Sequence, residues 1–284
     1  MIKEKKNVAL LSVFAAIFLT GIKLVIGIIT GSLGILSEAL HSGLDLIAAI
    51  ITYISVRISD KPADRDHNFG HGKIENFSAF IETILLVITC IWIVYEALGR
   101  LISGKTHIEV NKWSYIVIIA SIIIDVTRSR ALYKVARKYN SQALEADALH
   151  FSTDIWSSLV VLLGLACANF GFYFADSIAA LGVAIIVMFV SYQLGKKAMD
   201  VLLDKAPEET TKKIISVIKE IPEVIYYHDI KIRLSGAHTF VEVTIHVNPE
   251  ISIQQAHDIS HKVENKICEV IDKCEVHVHA EPED

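Results

Sequence analysis

Six stretches of this chain are so long and so apolar that the solvent they call for is lipid. Roughly 20 mostly apolar residues, rising about 1.5 Å each, cross the ~30 Å hydrocarbon layer of a bilayer. Segments at about 8–29, 34–57, 77–99, 113–134, 144–168 and 174–195 reach that length. In lipid, every backbone N–H and C=O must be satisfied within its own segment, so such runs are helices. The fourth is apolar only through Val126 and ends in the basic TRSRALYKVARK. The mean hydropathy of +0.46 over 284 residues is too high for an ordinary soluble domain, and the excess lies within 7–200. The opening MIKEKKNVALLSVFAAIFLT looks like a signal peptide, yet its apolar run continues without a small-residue cleavage site. It reads as a retained span.

Lysine and arginine in the flanks set the orientation. One side takes Lys3, Lys5, Lys6, Arg57, Lys61, Arg65, Lys73, Arg128, Arg130, Lys134, Arg137, Lys138, Lys196 and Lys197, and the other takes Arg100, Lys105 and Lys112. Both termini are therefore expected in the cytoplasm of a multi-pass cell (inner or plasma) membrane protein, with the TGSLG (30–34) and NFGFYF (169–174) turns outside. Lys23, inside the first span, is expected to snorkel outward. A net charge of −5 and a pI near 6.2 argue against nucleic acid as a partner. Cys90, Cys167, Cys268 and Cys274 form no CxxC pair, so disulfides do not organise the fold.

Past Pro207 the pattern changes. EETTKKIISVIKEI has helical spacing, VIYYHDIKIRL and HTFVEVTIHV alternate with period two, SIQQAHDISHKVENKICEVI is helical again, and CEVHVHA is a last strand. The expected fold class is an α-helical membrane protein with six transmembrane helices in residues 1–205. A small cytoplasmic αββαβ domain of the ferredoxin or metallochaperone kind follows in 206–284.

Two of the spans carry an unusual repeat. EALHSGLDL (38–46) and DALHFSTDI (147–155) each place an aspartate four residues after a histidine, and the second copy comes 109 positions after the first. Residues i and i+4 share a helix face, so His41 points with Asp45 and His150 with Asp154. Ionisable groups in a span are costly and default to function. Side by side, the two helices would offer two imidazoles and two carboxylates to one point, a set that suits tetrahedral zinc. All four groups also take up protons once a metal leaves. Glu38 and Asp147 lie a turn before each histidine, as outer hydrogen-bonding groups or structural polar contacts. Glu82, Glu96 and Asp125 stand ungrouped, as packing or near-interface residues.

These motifs, with the loop KPADRDHNFGHGKIE and the tail pattern YHDIKIRLSGAHTFVEV…AH…VHVHAEP, resemble the cation diffusion facilitator family of divalent-metal/proton antiporters. The resemblance is to its bacterial zinc exporters and covers nearly the whole chain. It implies a transport site on His41, Asp45, His150 and Asp154. It also implies a loop site on Asp64, His67 and His71, where Gly70 and Gly72 are expected to make the loop flexible and the site weaker. A cytoplasmic site falls on His228, His257, His279 and Glu281. Where relatives place a histidine on the second strand this chain has Thr244, and His246, on the same strand face, is the possible substitute. The resemblance further implies a homodimer and a charge pair between Lys73 and Asp204.

The expected function is proton-coupled export of a divalent transition metal, zinc first, with cadmium, iron, manganese or cobalt as alternatives and the same ion regulating the tail. A manganese- or iron-preferring exporter is the nearest rival. The expectation is not an enzyme: an intramembrane metalloenzyme would need an open metal position and a general base as in HExxH, and that motif is absent from the sequence. A passive channel would have less use for a closed four-ligand site.

Overall fold

The computed structural model describes residues 2–30, 33–103, 112–169 and 175–283. The chain forms two compact units, Met1–Asp60 with Ile74–Ala198, and Lys61–Lys73 with Met199–Asp284.

The first unit is built from six long helices: α1 (Ile2–Thr30), α2 (Leu33–Ser59), α3 (Lys73–Ser103), α4 (Lys112–Tyr139), α5 (Gln142–Asn169) and α6 (Ala175–Leu202). At 27 to 31 residues each, they run about 40–46 Å at ~1.5 Å per residue, beyond the hydrocarbon layer at one or both ends. On length and apolar content alone, α1, α2, α3 and α6 qualify as spans. The other two carry more charge: α4 ends in Arg128, Arg130, Lys134, Arg137 and Lys138, and α5 bears Glu145, Asp147 and Asp154. Large side chains such as Phe18, Ile28, Trp92, Ile185 and Phe189 face outward, which only lipid makes favourable on this scale. Inside, small residues let the helices approach, with Ala16 and Ala49 between α1 and α2, and Ala79, Ala146 and Ala198 joining α3, α5 and α6.

Lys23 departs from expectation. It is 5% exposed and its Nζ donates to Ser42 Oγ at 2.8 Å, next to His41 on α2. Snorkelling is therefore corrected to an inward hydrogen bond, because a polar partner lies closer to the ammonium than the helix end does. Residues 31 and 32 of the 30–34 turn, and 170–174 of the 169–174 turn, lie outside the described residues.

In the second unit, α7 (Glu208–Lys219) and α8 (Ile253–Val270) cover one face of a sheet of order β1-β2-β3. Strands β1 (Tyr226–Ser235) and β2 (His238–Val247) pair antiparallel; β3 (Cys274–Pro282) runs parallel to β2. Glu208 and Glu209 favour the first turn of α7 electrostatically. A capping box between Ser252 and Gln255 starts α8. On β2, Val241, Val243, Ile245 and Val247 alternate inward onto Ile214, Ile218, Val263 and Ile267. Thr244 and His246 therefore share the opposite, partly open face.

The 61–73 loop packs on this same unit. Phe69 meets Phe240 edge-on at 5.1 Å, Arg233 lies 4.3 Å over the Phe69 ring, and Ser235 Oγ donates to the Phe69 carbonyl at 3.2 Å. Gly70 adopts φ +71°, and a Cβ on Gly72 would sit 2.3 Å from the Ser235 carbonyl oxygen. The two glycines thus serve a left-handed backbone and a close approach, where the sequence had suggested flexibility. Lys73 Nζ contacts Asp204 at 2.6 Å, as expected, and Asp204 also lies 3.5 Å from Arg233 Nε.

Candidate metal sites

The two HxxxD helices meet. His150 Nε2 lies 2.9 Å from Asp45 Oδ1, and His41 Nε2 lies 3.4 Å from Asp154 Oδ1, so each histidine engages the other helix's aspartate. Within each helix the same nitrogens sit 4.0 Å and 3.9 Å from their i+4 carboxylates. His41, Asp45 and Asp154 have ligand atoms within 4.8 Å of one another. Asp45 and His150 are buried, and His41 is the more open of the two histidines. His150 Nδ1 is buried without a hydrogen-bond partner among the described residues.

Around this cluster lie polar groups whose grouping the sequence left open. Asp147 Oδ2 accepts from Ser12 Oγ at 3.2 Å, and Arg128 donates to Ser12 Oγ at 3.0 Å and to Asp125 Oδ1 at 3.3 Å. The Arg128 guanidinium also stacks 3.5 Å over Phe151, whose edge meets the His150 ring. Asp125 and Asp147 therefore flank one buried cation that ties α1, α4 and α5. Glu82 is fully buried and accepts from Thr52 and Ser78. A second buried group joins Lys5 to Glu75 at 2.5 Å and to Asp60 at 3.4 Å, with Ser59 and Ser141 donating to Glu75. Neither Lys5 nor Glu75 stood out in the sequence, since both lie where charge is ordinary. The side chains of Glu38 and Glu96 lie outside the described residues.

In the loop, Asp64, His67 and His71 come together, with Asp64 3.4 Å from His67 Nδ1 and 3.6 Å from His71 Nε2. The backbone N–H groups of His67 and Asp66 donate to Asp64 Oδ1 at 2.8 and 3.0 Å. The His67 amide, foremost, holds this carboxyl below its ordinary value. His67 and Asp64 are exposed, while His71 is only 10% exposed at its side chain.

On the sheet, the group that gathers is His228, His246 and Glu281. A bulge after His228, with Asp229 at φ +52°, breaks the β1–β2 register. His228 pairs with Thr244 but reaches diagonally to His246, Nε2 to Nε2 at 3.1 Å. Glu281, opposite His246 on β3, lies 3.7 Å from His228 and 3.6 Å from His246. Glu283, which the sequence did not single out, lies 3.0 Å from His246 Nδ1. His279 reaches Glu281 at 3.2 Å from an exposed position outside that group. His257 is exposed on α8 and packs against His261 instead.

Residues 9–203 match the family profile described as the cation efflux transmembrane domain, and 206–283 match that of the cation efflux protein cytoplasmic domain. The chain belongs to the cation efflux family, the cation diffusion facilitators. It is a membrane transporter of divalent metal cations, in a family of transporters and not of enzymes. Over 282 residues it is 35% identical to an uncharacterised transporter of Methanocaldococcus jannaschii, covering 97% of this chain and 98% of that one. Over 280 residues it is 30% identical to the cation-efflux pump FieF of Serratia proteamaculans, covering 98% and 92%. Among solved structures, a nickel form of the MamM CTD is 26% identical over 28% of this chain and all of that one, with a TM-score of 0.27. As in the fold class expected for a cation efflux protein, a helical transmembrane domain carries a small C-terminal α+β domain.

Proposed function

We propose that this transporter exports zinc in exchange for protons, and that His41, Asp45, His150 and Asp154 hold the ion. The observation that carries this reading is the crossed pairing of the two HxxxD helices. Each of the two cross-helix contacts needs a proton between nitrogen and oxygen, and an ion seated among the four groups must displace both. Metal and protons then compete for the same lone pairs, which couples the two fluxes without a separate proton path. Two imidazoles and two carboxylates suit tetrahedral zinc, while manganese favours more oxygens and a higher coordination number. Cadmium, iron and cobalt are weaker substrates in this reading.

The positive-inside count supports an orientation with both termini and the tail in the cytoplasm of a cell membrane. Asp64, His67 and His71 form a second, weaker site. His228, His246 and Glu281, with His279 and His257 at hand, form a regulatory zinc site on a domain through which two chains dimerise. The test is zinc flux into proteoliposomes with and without an imposed pH gradient. Flux that follows the gradient, with protons moving opposite to zinc, supports the exchanger. Flux indifferent to it overturns the coupling and leaves a channel.

A further inference from the structure

We propose that Cys268 and Cys274 form a two-thiolate site on the C-terminal domain that captures one thiophilic metal ion. The sequence separates them by five residues, and neither belongs to a CxxC motif. The fold nevertheless brings them together, because α8 ends at Val270 and β3 begins at Cys274. The turn between is pinned: Lys273 takes φ +51°, and its carbonyl accepts from the Thr239 amide at 3.0 Å. Both cysteines are free, with Cys268 exposed and Cys274 partly buried. Cys268 Sγ donates to the Cys274 carbonyl oxygen at 3.4 Å. Burial first, and then a hydrogen bond with the Cys268 thiol, push the Cys274 thiol up to about 12.

Two sulfurs at the mouth of an ordered turn, one of them open to solvent, can bind the same ion as thiolates. No histidine, carboxylate or third cysteine joins them in a potential ligand group among the described residues. The ion must therefore accept two sulfurs and complete its shell with water or a small thiol, which selects soft metals over hard ones. A thiophilic ion displaces the thiol protons as it binds. The site is separate from the histidine cluster. Cys274 pairs with Thr239 at one end of β2 and Glu281 with His246 toward the other, seven residues along β3, or roughly 23 Å at ~3.3 Å per residue. The inference does not depend on the transport reading.

The experiment titrates the reduced full-length protein in detergent with Cd2+ and follows thiolate-to-cadmium charge-transfer absorption. Histidine and carboxylate ligands give no such band, so the sites described above stay silent. The expected result is a band that saturates at one Cd2+ per chain and is lost in both Cys268→Ser and Cys274→Ser. Cys268→Ser alters an exposed side chain, and an unchanged melting temperature without cadmium would verify its fold. No band in the reduced wild type overturns the proposal. So does a band that survives in either variant, which would assign it to Cys90, Cys167 or a single sulfur.

Discussion

The His–Asp cluster between α2 and α5 and the His–Asp cluster at residues 64–71 use the same side chains and are held by opposite means. In the first, two helices fix the ligands at i and i+4, and the imidazoles and carboxylates pair with one another across the helix pair. In the second, one carboxylate is fixed by two backbone amides of its own loop, and two of its three members face solvent. In the exchanger proposed above, a buried cluster must exchange partners to bind an ion, which links binding there to protons. A hydrated cluster exchanges water and is easier to empty.

The sharpest break between the two comes from removing one anion from each. Asp45→Ala or Asp154→Ala is expected to abolish zinc flux in proteoliposomes, because a divalent ion then meets too little negative charge in a medium that cannot supply it. An unsatisfied buried histidine costs only about 1–3 kcal/mol, so the variants should still fold and insert. Near wild-type flux in a well-expressed variant would sink the site assignment. Asp64→Asn should leave most flux in place, because water and the two histidines remain.

A change of ligand type should alter selectivity more than rate. His41→Asp replaces a nitrogen by a harder oxygen and adds negative charge, and the expected outcome is a lower zinc-to-manganese flux ratio in competition assays. Manganese flux equal to that of zinc in the wild type would overturn the zinc preference and leave the exchanger intact.

The sheet site gives an intermediate effect. Zinc at 100 times its dissociation constant stabilises a folded domain by about 2.7 kcal/mol, or roughly 10–20 °C in melting temperature at about 4–8 °C per kcal/mol for a domain this small. Residues 206–284, produced alone, should show that gain, and His246→Ala should remove more of it than His257→Ala. Equal loss in the two variants would restore His257 to the ligand set.

What the sequence made legible is what local geometry fixes. The i, i+4 spacing pairs His41 with Asp45 and His150 with Asp154 wherever the helices pack. Alternation on β2 put His246 on the face of Thr244. It could not foresee which way Lys23 turns or that Arg128 binds Ser12, because those depend on the neighbouring helix. Nor could it separate a flexible glycine from one whose missing Cβ makes room for the Ser235 carbonyl, as at Gly72. The Cys268–Cys274 contact was hidden for the same reason, since a three-residue turn has to be folded before the sulfurs meet.

The loop cluster also differs in its response to acid. The His67 amide lowers the Asp64 carboxyl from 3.8. A depressed carboxylate contributes stability that is present above its unfolded value and is lost as pH falls through the folded one. The loop turn should therefore hold unchanged from neutral pH to about pH 5 and loosen only below the ordinary carboxylate range of ~3.9. Amide hydrogen exchange at His67 would follow this, and loosening already at pH 6 would mean that the histidines, not Asp64, set the turn.

The smallest effect is expected where the loop ends. Lys73 and Asp204 are partly exposed at 32% and 40%, and pairs of this kind contribute roughly 0–1 kcal/mol. Unfolding should hardly register the loss of either charge, so the readout is transport. The double exchange Lys73→Asp with Asp204→Lys is expected to recover more flux than either single change. Recovery should stay partial, because Arg233 also faces Asp204, 3.5 Å away, and would then meet a lysine. Adding Arg233→Glu to the exchanged pair should recover more. If the double exchange does no better than the worse single variant, the charges act separately and the pair is incidental. If it restores full flux with Arg233 in place, the Arg233 contact is the incidental one.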